Sequence, residues 1–282
     1  MNKFNLSRRT NKMPNGFMFY VKAFSPLHAG VGQSIDKVDL PIEREVHTQY
    51  PCVFATGLKG SLRSFCKHNK TVDFNDTIIE KIFGKEDGEI GMGSAVFTDL
   101  KILFFPVRSS EGSFKYVTCE AVIKRFERDF KLIFPEISYS HENKKADFGE
   151  LVTCIEKADQ FEPNAHIILE DYIFIKHPKG ELSNRFGIKL NDVYVIENKF
   201  FTYLVTNATQ IIARNKLDDK KISENLWYEE ALPAETVLYS FVLPSIIKNG
   251  EIDKLKTFIN NKVVQIGGNE TVGYGICELK NI

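Results

Sequence analysis

Hydrophobic and polar positions alternate and recur along this chain in a way that predicts mixed strands and helices. GFMFYVKAF (16–24) alternates well enough for a first strand. SPLHAGVGQS follows, and its Pro, Gly and Ser residues end that strand in a loop running through Asp39 to Pro51. GLKGSLRSFCKH (57–68) reads as a helix. Leu58, Leu62, Phe65 and Cys66 share one side, Lys59, Arg63 and Lys67 another, and Thr56 is placed to cap the start. Its two glycines each weaken a helix by about 1 kcal/mol relative to Ala, yet let a partner backbone come close.

Residues 72–94 are charged and Gly-rich and predict a surface insertion, whereas AVFTDLKILFFPVRS (95–109) predicts paired strands. TCEAVIKRFERDFKLI (118–133) predicts a helix and 136–162 a polar loop. From 166 to 215, HIILEDYIFI and DVYVIENKFFTYLVT read as strands of hairpins, with turns at PKGE and IENK. ETVLYSFVLPS (235–245) predicts a strand, IDKLKTFINN (252–261) a short helix, and KVVQIGG with YGICELK a closing strand pair. Without the insertions the order is β-α-β-β-α-β, an α+β arrangement expected to be ferredoxin-like. That fold alone decides no function. The aromatic RNP1 pattern of RNA-recognition motifs is not evident, which disfavours a simple stacking platform of that kind.

Composition narrows the classes. The 282 residues are 43% hydrophobic and 12% aromatic, enough for a full core in one or two domains. No apolar run approaches the roughly 20 residues of a membrane span. Residues 1–15 are a polar extension lacking the apolar stretch of a secretory signal. Five widely spaced cysteines without a CxxC fit a reduced, cytoplasmic chain. The six histidines form no zinc pattern, so no zinc is expected. Net charge is zero, but residues 1–70 carry seven Lys and four Arg against two Asp and two Glu, a local excess of +7. A neutral chain built this way can present a basic face to a nucleic acid.

Four stretches could carry chemistry. Lys59 and Arg63 lie one turn apart near the start of a helix, where a phosphate chain would meet the helix dipole and two cations; a solvated basic face is the alternative. In IGGNETVGYG, residues Gly267, Gly268, Gly273 and Gly275 permit either an anion nest or a plain Gly-rich hairpin turn. His28 and Asp39 flank the Gly-containing loop, and a carboxylate there could hold Mg²⁺ or accept a proton from a ribose 2′-hydroxyl. A lone loop Asp is more often a turn former, a description that Asp36 fits better than Asp39. Glu229 and Glu230 in LWYEEALPAET are adjacent, so at most one should point into a given site.

SPLHAGVGQSIDKVDLPIEREVHTQYP followed by GLKGSLR resembles the opening of the RAMP superfamily, the repeat-associated mysterious proteins. Within it the chain is most similar to backbone nuclease subunits of type III-B CRISPR effectors, the Cmr complex. SAVFTDLKILFFPVRS, IIARNKLDDKK, LWYEEALPAET and IGGNETVGYGICEL agree in the same order. The resemblance implies a modified ferredoxin-like (RRM-like) palm over 16–282, with a lid insertion at about 40–94 and a protruding β-hairpin thumb within about 160–220. It implies copies lined up along a CRISPR guide RNA, contacts with other Cmr subunits, and no membrane. Each copy would cleave complementary target RNA at a regular step. The matching catalytic positions are Asp39, His28 and Glu229 or Glu230, with Mg²⁺ or Mn²⁺ at Asp39, bound only with RNA. Guide-RNA contacts map onto Lys59, Arg63, Gly267, Gly268, Gly273 and Gly275. Arg44 and His47 would hold phosphates or the loop itself, or else pair with Glu43 or Glu45. A type III-A backbone subunit, a binding-only backbone subunit and a guide-processing nuclease are the competing readings.

Overall fold

The apolar runs form strands and the periodic segments form helices, in a computed structural model that describes residues 16–35, 37–85, 91–135, 153–158, 160, 165–176, 193–245 and 251–282. In chain order these are β1 (Phe17–Ala23), β2 (Cys52–Val53), α1 (Ala55–His68), α2 (Asp76–Phe83), β3 (Ala95–Phe97), β4 (Leu100–Arg108), β5 (Phe114–Cys119) and α3 (Glu120–Ile133). There follow β6 (Thr153–Ala158), β7 (His166–Leu169), β8 (Tyr172–Lys176), β9 (Val193–Ile196), α4 (Asn198–Asn207), β10 (Gln210–Leu217) and β11 (Ser223–Ala231). The last are β12 (Val237–Pro244), α5 (Ile252–Ile259), β13 (Lys262–Gln265) and β14 (Ile276–Asn281).

One mostly antiparallel sheet dominates, in the order β13-β14-β1-β12-β4-β5-β9-β6-β8-β7. β5, β9 and β6 pair in parallel. β1 sits between β14 and β12, with Tyr20 opposite both Lys280 and Tyr239. Burial on both faces explains why β1 and β12 read as nearly continuous apolar runs. α3 covers β1, β4 and β5 with Val122, Ile123, Phe126, Phe130 and Ile133, while α5 lies against β12 and β14. β10 and β11 form a separate two-stranded sheet whose outer two-thirds is largely exposed. Among the described residues no helix is long and apolar enough to cross a membrane. Cys52, Cys66, Cys119 and Cys277 are buried free thiols. Burial pushes the Cys66 thiol up to about 12.

Several elements differ from the sequence expectation. KFFTYLVT is the helix α4, not a strand: Phe201, Leu204 and Val205 are buried at helical spacing, and Glu197 of the expected IENK turn is the residue at which the helix starts. β3 and β4 do not pair with each other; both pair with β12. The 72–94 segment contains α2, capped by Asn75 and buried through Ile78, Ile79, Ile82 and Phe83. α1 begins at Ala55, so Thr56 lies inside its first turn, and the Ala55 N–H donates to Asp99 Oδ1 at 2.7 Å. β6 lies within the expected 136–162 loop. Residues 1–15, Asp36, the PKGE turn and most of 136–162 lie outside the described residues.

Candidate active site

The acidic loop is built as an added edge on β11. After β1, Leu27 exchanges backbone hydrogen bonds with Leu232 at 2.9 and 2.8 Å. Further on, the Leu40 N–H donates to Tyr228 O (3.1 Å) and the Glu230 N–H to Leu40 O (3.0 Å), a parallel bridge. Asp39 sits just ahead of that bridge. Its Oδ2 accepts the Tyr228 N–H at 2.7 Å, and its Oδ1 has no partner among the described residues. Asp39, Gln33, Ser34, Leu40, Asn225, Leu226 and Trp227 line a cleft of about 350 Å³.

Glu229 and Glu230 point to opposite faces of β11, as adjacent strand residues must. Neither lines the Asp39 cleft. Glu229, 3% exposed, accepts Arg214 Nε and Asn269 Nδ2, each at 2.5 Å, and lies 3.7 Å from His28 Nε2. Burial works against its ionisation. The bonds from Asn269 and Arg214, with the charges of His28 and Arg214, outweigh burial and hold its carboxyl below the usual range. Glu230, 5% exposed, accepts Arg44 Nη2 (2.5 Å), Thr209 Oγ1 (2.8 Å) and the Ile42 N–H (3.1 Å). Glu230 thus ties β11 to the very loop that carries Asp39.

His28 belongs to a second cleft. Its Nδ1 lies 2.6 Å from Glu230 O, and a carbonyl only accepts, so Nδ1 donates there while Nε2 faces Glu229. A cleft of about 450 Å³ is lined by His28, Gly30, Leu40, Glu43, Gly57, Ser61, Gly267 and Gly268. Leu40 is common to both clefts, with His28 on one side and Asp39 on the other.

Three glycine N–H groups of the glycine loop are engaged within the chain. The Gly268 N–H donates to His28 O (2.8 Å), the Gly275 N–H to Pro26 O (2.8 Å) and the Gly273 N–H to Glu270 O (2.9 Å). Two of its glycines also allow close backbone approach. A Cβ on Gly267 would meet His28 O at 2.4 Å, and one on Gly275 would meet Ile266 O at 1.9 Å, both at positive φ.

The basic residues divide by partner. Lys59 is half-buried on α1, and burial followed by the neighbouring Arg63 charge lowers its pKa. Arg63 Nη2 donates to the Gly84 carbonyl and so holds the end of α2. Arg44 donates to Gln49 O and Val205 O, each at 3.0 Å, and pairs with Glu230 rather than with Glu43 or Glu45. Arg44 thus clasps the loop itself, one of the two roles expected of it, through bonds to Gln49 O, Val205 O and Glu230. Glu45 pairs with Arg125 at 2.5 Å, and Glu43 accepts the Phe54 N–H at 2.5 Å before α1. His47 is exposed on a turn. Sequence reasoning missed Arg214, Asn269 and Trp227. Arg214 and Trp227 are opposite in the β10–β11 register, on the face that carries Glu229, a relation visible only once that register is known.

The RAMP superfamily model matches residues 20–278. The chain is 34% identical over 278 residues to the CRISPR system Cmr endoribonuclease Cmr4 of Pyrococcus furiosus, covering 90% of this chain and 92% of that one. It is 24% identical over 306 residues to the CMR subunit Cmr4 of Saccharolobus solfataricus, covering 93% and 95%. The crystal structure of oligomeric Cmr4 from Pyrococcus furiosus superimposes with TM-score 0.69 at 28% identity, over 95% of this chain and 98% of that one. A chain of the type III-B Cmr-beta complex bound to cognate target RNA superimposes with TM-score 0.76 at 23% identity, over the same shares, and shows the same fold. On the extent of the family match and the identity to the Pyrococcus protein, this chain belongs to the RAMP superfamily, as a homologue of Cmr4.

Proposed function

We propose that this chain is a guide-RNA-binding backbone subunit of a type III-B CRISPR effector and that it cleaves the complementary target RNA. The observation that carries this reading is Asp39: one carboxylate oxygen pinned by the Tyr228 N–H, the other open to a cleft beside a projecting hairpin. The Pyrococcus relative bears the name of an endoribonuclease, and a similar chain occurs in a complex bound to target RNA. In this reading β14-β1-β12-β4, with α1 and α5, is the ferredoxin-like palm. The β10–β11 hairpin, which overlaps only the end of the expected 160–220 range and runs on to Ala231, is the thumb, and the segment carrying α2 belongs to the lid. Copies pack along the guide, other Cmr subunits cap the row, and the assembly works in the cytoplasm.

The two clefts divide the work. The His28 cleft, with the glycine loop and the first turn of α1, takes the guide backbone, and Lys59 adds charge beside it. The Asp39 cleft takes the target strand. Asp39 Oδ1 accepts the proton of a 2′-hydroxyl as its oxygen bonds to the adjacent phosphorus. The bond to the 5′-oxygen breaks, leaving a cyclic phosphate, and that oxygen takes a proton from water. Tyr228 N–H fixes the carboxylate, while Glu230 and Arg44 fix the loop.

Among the described residues no three His, Cys, Asp or Glu side chains converge on one point. The described residues alone therefore do not form a protein-only cage for a divalent ion. Mg²⁺ commonly uses one or two carboxylates plus substrate phosphates, and the Asp39 carboxylate with RNA phosphates would supply that donor set. A bound Mg²⁺ or Mn²⁺ would offset the charge developing on the phosphate.

The test is single-turnover cleavage by the assembled complex carrying guide and complementary RNA. Asp39→Asn keeps an acceptor for Tyr228 N–H but cannot take the proton. It should cut about 10²- to 10⁴-fold more slowly, with RNA retention unchanged. Cleavage at the normal rate would overturn the assignment, and protection of the target without cutting by the unaltered complex would return the binding-only reading.

A further inference from the structure

A third cleft, of about 530 Å³, shares no lining residue with the Asp39 and His28 clefts. Arg108, Glu170, Asp171 and Glu235 supply its charges. Arg108 Nε pairs with Glu170 at 2.6 Å, and its Nη2 lies 3.8 Å from Asp171, whose side chain is 88% exposed. Glu235 Oε2 accepts Lys22 Nζ and the Tyr116 hydroxyl, each at 2.6 Å. Three carboxylates thus meet two cations, and Asp171 is the one held least closely. The end of α4 adds to the imbalance. Asn207 and Ala208 line the cleft, and the last turn of that helix contains no basic residue. A helix C-terminus carries partial negative charge and favours a cation. Phe114, Tyr172 and Tyr203 also line the cleft, and aromatic faces attract guanidinium groups.

Such a surface repels a phosphate chain and suits a basic peptide. The chain supplies one. Residues 1–15, MNKFNLSRRTNKMPN, contain Lys3, Arg8, Arg9 and Lys12 and no Asp or Glu. Position decides which copy provides it. The Glu235 N–H donates to Ala23 O, so the cleft lies at the C-terminal end of β1, whereas residues 1–15 join the chain at its N-terminal end. The seven residues of β1 separate the two by about 23 Å. To reach its own cleft the segment would have to double back along β1, against which α3 packs. A donor at one end and an acceptor at the other match between successive copies instead, and a head-to-tail contact of this kind repeats into a row.

We propose that residues 1–15 of one copy dock in this cleft of the next copy, with the Arg8–Arg9 pair beside Asp171 and the end of α4. This docking rests on the reading of the chain as a backbone subunit that packs in rows, and it names a contact that joins the row.

The test follows the RNA-free, full-length chain by sedimentation velocity at low salt. The unaltered chain should self-associate. Arg8→Glu/Arg9→Glu, and separately Asp171→Arg, should each weaken that association about ten-fold or more, because like charges then face each other. Combining the three substitutions should recover most of the loss. None of these variants should shift the unfolding midpoint, since Asp171 is exposed and residues 1–15 precede β1. The donor copy is identified by a benzophenone amino acid in place of Phe4, carried on isotope-labelled chain mixed with unlabelled chain. Cross-linked peptides should join the labelled segment to unlabelled peptides containing Asp171 or Tyr203. A monomeric unaltered chain, association indifferent to both charge reversals, or cross-links confined to the labelled chain would overturn the docking and leave the backbone reading intact. Association indifferent to Arg8→Glu/Arg9→Glu, with a reduced salt slope of guide-RNA binding, would make the segment an RNA contact instead. A chain that does not assemble even on guide RNA would overturn the backbone reading as well.

Discussion

Two clefts meet at Leu40, and they treat similar residues in opposite ways. On the His28 side nearly every polar group has a protein partner: Glu229 with Arg214 and Asn269, His28 with Glu230 O, and Gly268 N–H with His28 O. On the Asp39 side, among the described residues, Asp39 Oδ1 and the side chains of Gln33 and Asn225 have no hydrogen-bond partner, and these residues line the cleft. The difference separates groups held by the fold from groups left open. A buried carboxylate survives only if hydrogen-bonded and paired, so Glu229 and Glu230 support the architecture around Asp39. A half-exposed carboxylate with one oxygen fixed is free to meet a substrate.

The contrast breaks first at the clasp. Arg44→Ala would leave Glu230 buried with only Ile42 N–H and Thr209, its charge no longer paired. Removing one partner of a buried pair costs about 3–5 kcal/mol. Arg44 and Glu230 side chains are 15% and 7% exposed, which places the expected loss near the lower end, about 3 kcal/mol, measured by thermal or urea unfolding of the free chain. The Arg44→Ala/Glu230→Ala double variant should lose less than the sum of the single losses. If Arg44→Ala unfolds like the unaltered chain, the clasp does not hold the loop.

The second comparison uses pH. Folding holds the Glu229 carboxyl below its ordinary 4.5. The stability this contributes is present above that value and is lost as pH falls through the lower folded-state value. Glu229→Gln should therefore be less stable at neutral pH, and its stability should fall less steeply than that of the unaltered chain below pH about 4.5. Parallel stability curves for the two proteins in acid would remove Glu229 from the wired cleft.

How much of this was legible beforehand depends on whether the signal is local. β1, α3, β12, α5 and the β13–β14 pair follow from short-range periodicity, and the structure has them within a few residues of the sequence limits. α4 departs from the strand expectation because KFFTYLVT is β-branched and aromatic, a strand composition, while burial of Phe201, Leu204 and Val205 on one face decides for helix. Asp39 stands out in the sequence through its motif, and the structure places it on an open cleft. The division between Glu229 and Glu230 was not, because it depends on Arg44, Arg214 and Asn269, which lie 186, 15 and 40 residues away. Glycine clusters carry a similar ambiguity: Gly267 and Gly275 mark close approach to the neighbouring backbone, and only the partners of their loop distinguish that from anion binding.

The mildest effect belongs to the basic helix, where Lys59 and Arg63 look equivalent in sequence and differ in the fold. Arg63 is engaged by Gly84 O, so Arg63→Ala should loosen the end of α2 and lower the unfolding midpoint. Lys59 has its pKa lowered by burial and by the Arg63 charge beside it, so an approaching phosphate would relieve a repulsion as well as gain a contact. Lys59→Ala should change stability by no more than about 0.5 kcal/mol. It should weaken guide-RNA binding at low salt and reduce the slope of log affinity against log salt by about 0.7 to 0.9, the change expected when one phosphate contact is lost. Filter binding across a salt series checks it. A slope unaltered in Lys59→Ala but reduced in Arg63→Ala would reverse the two roles and move the guide contact toward α2.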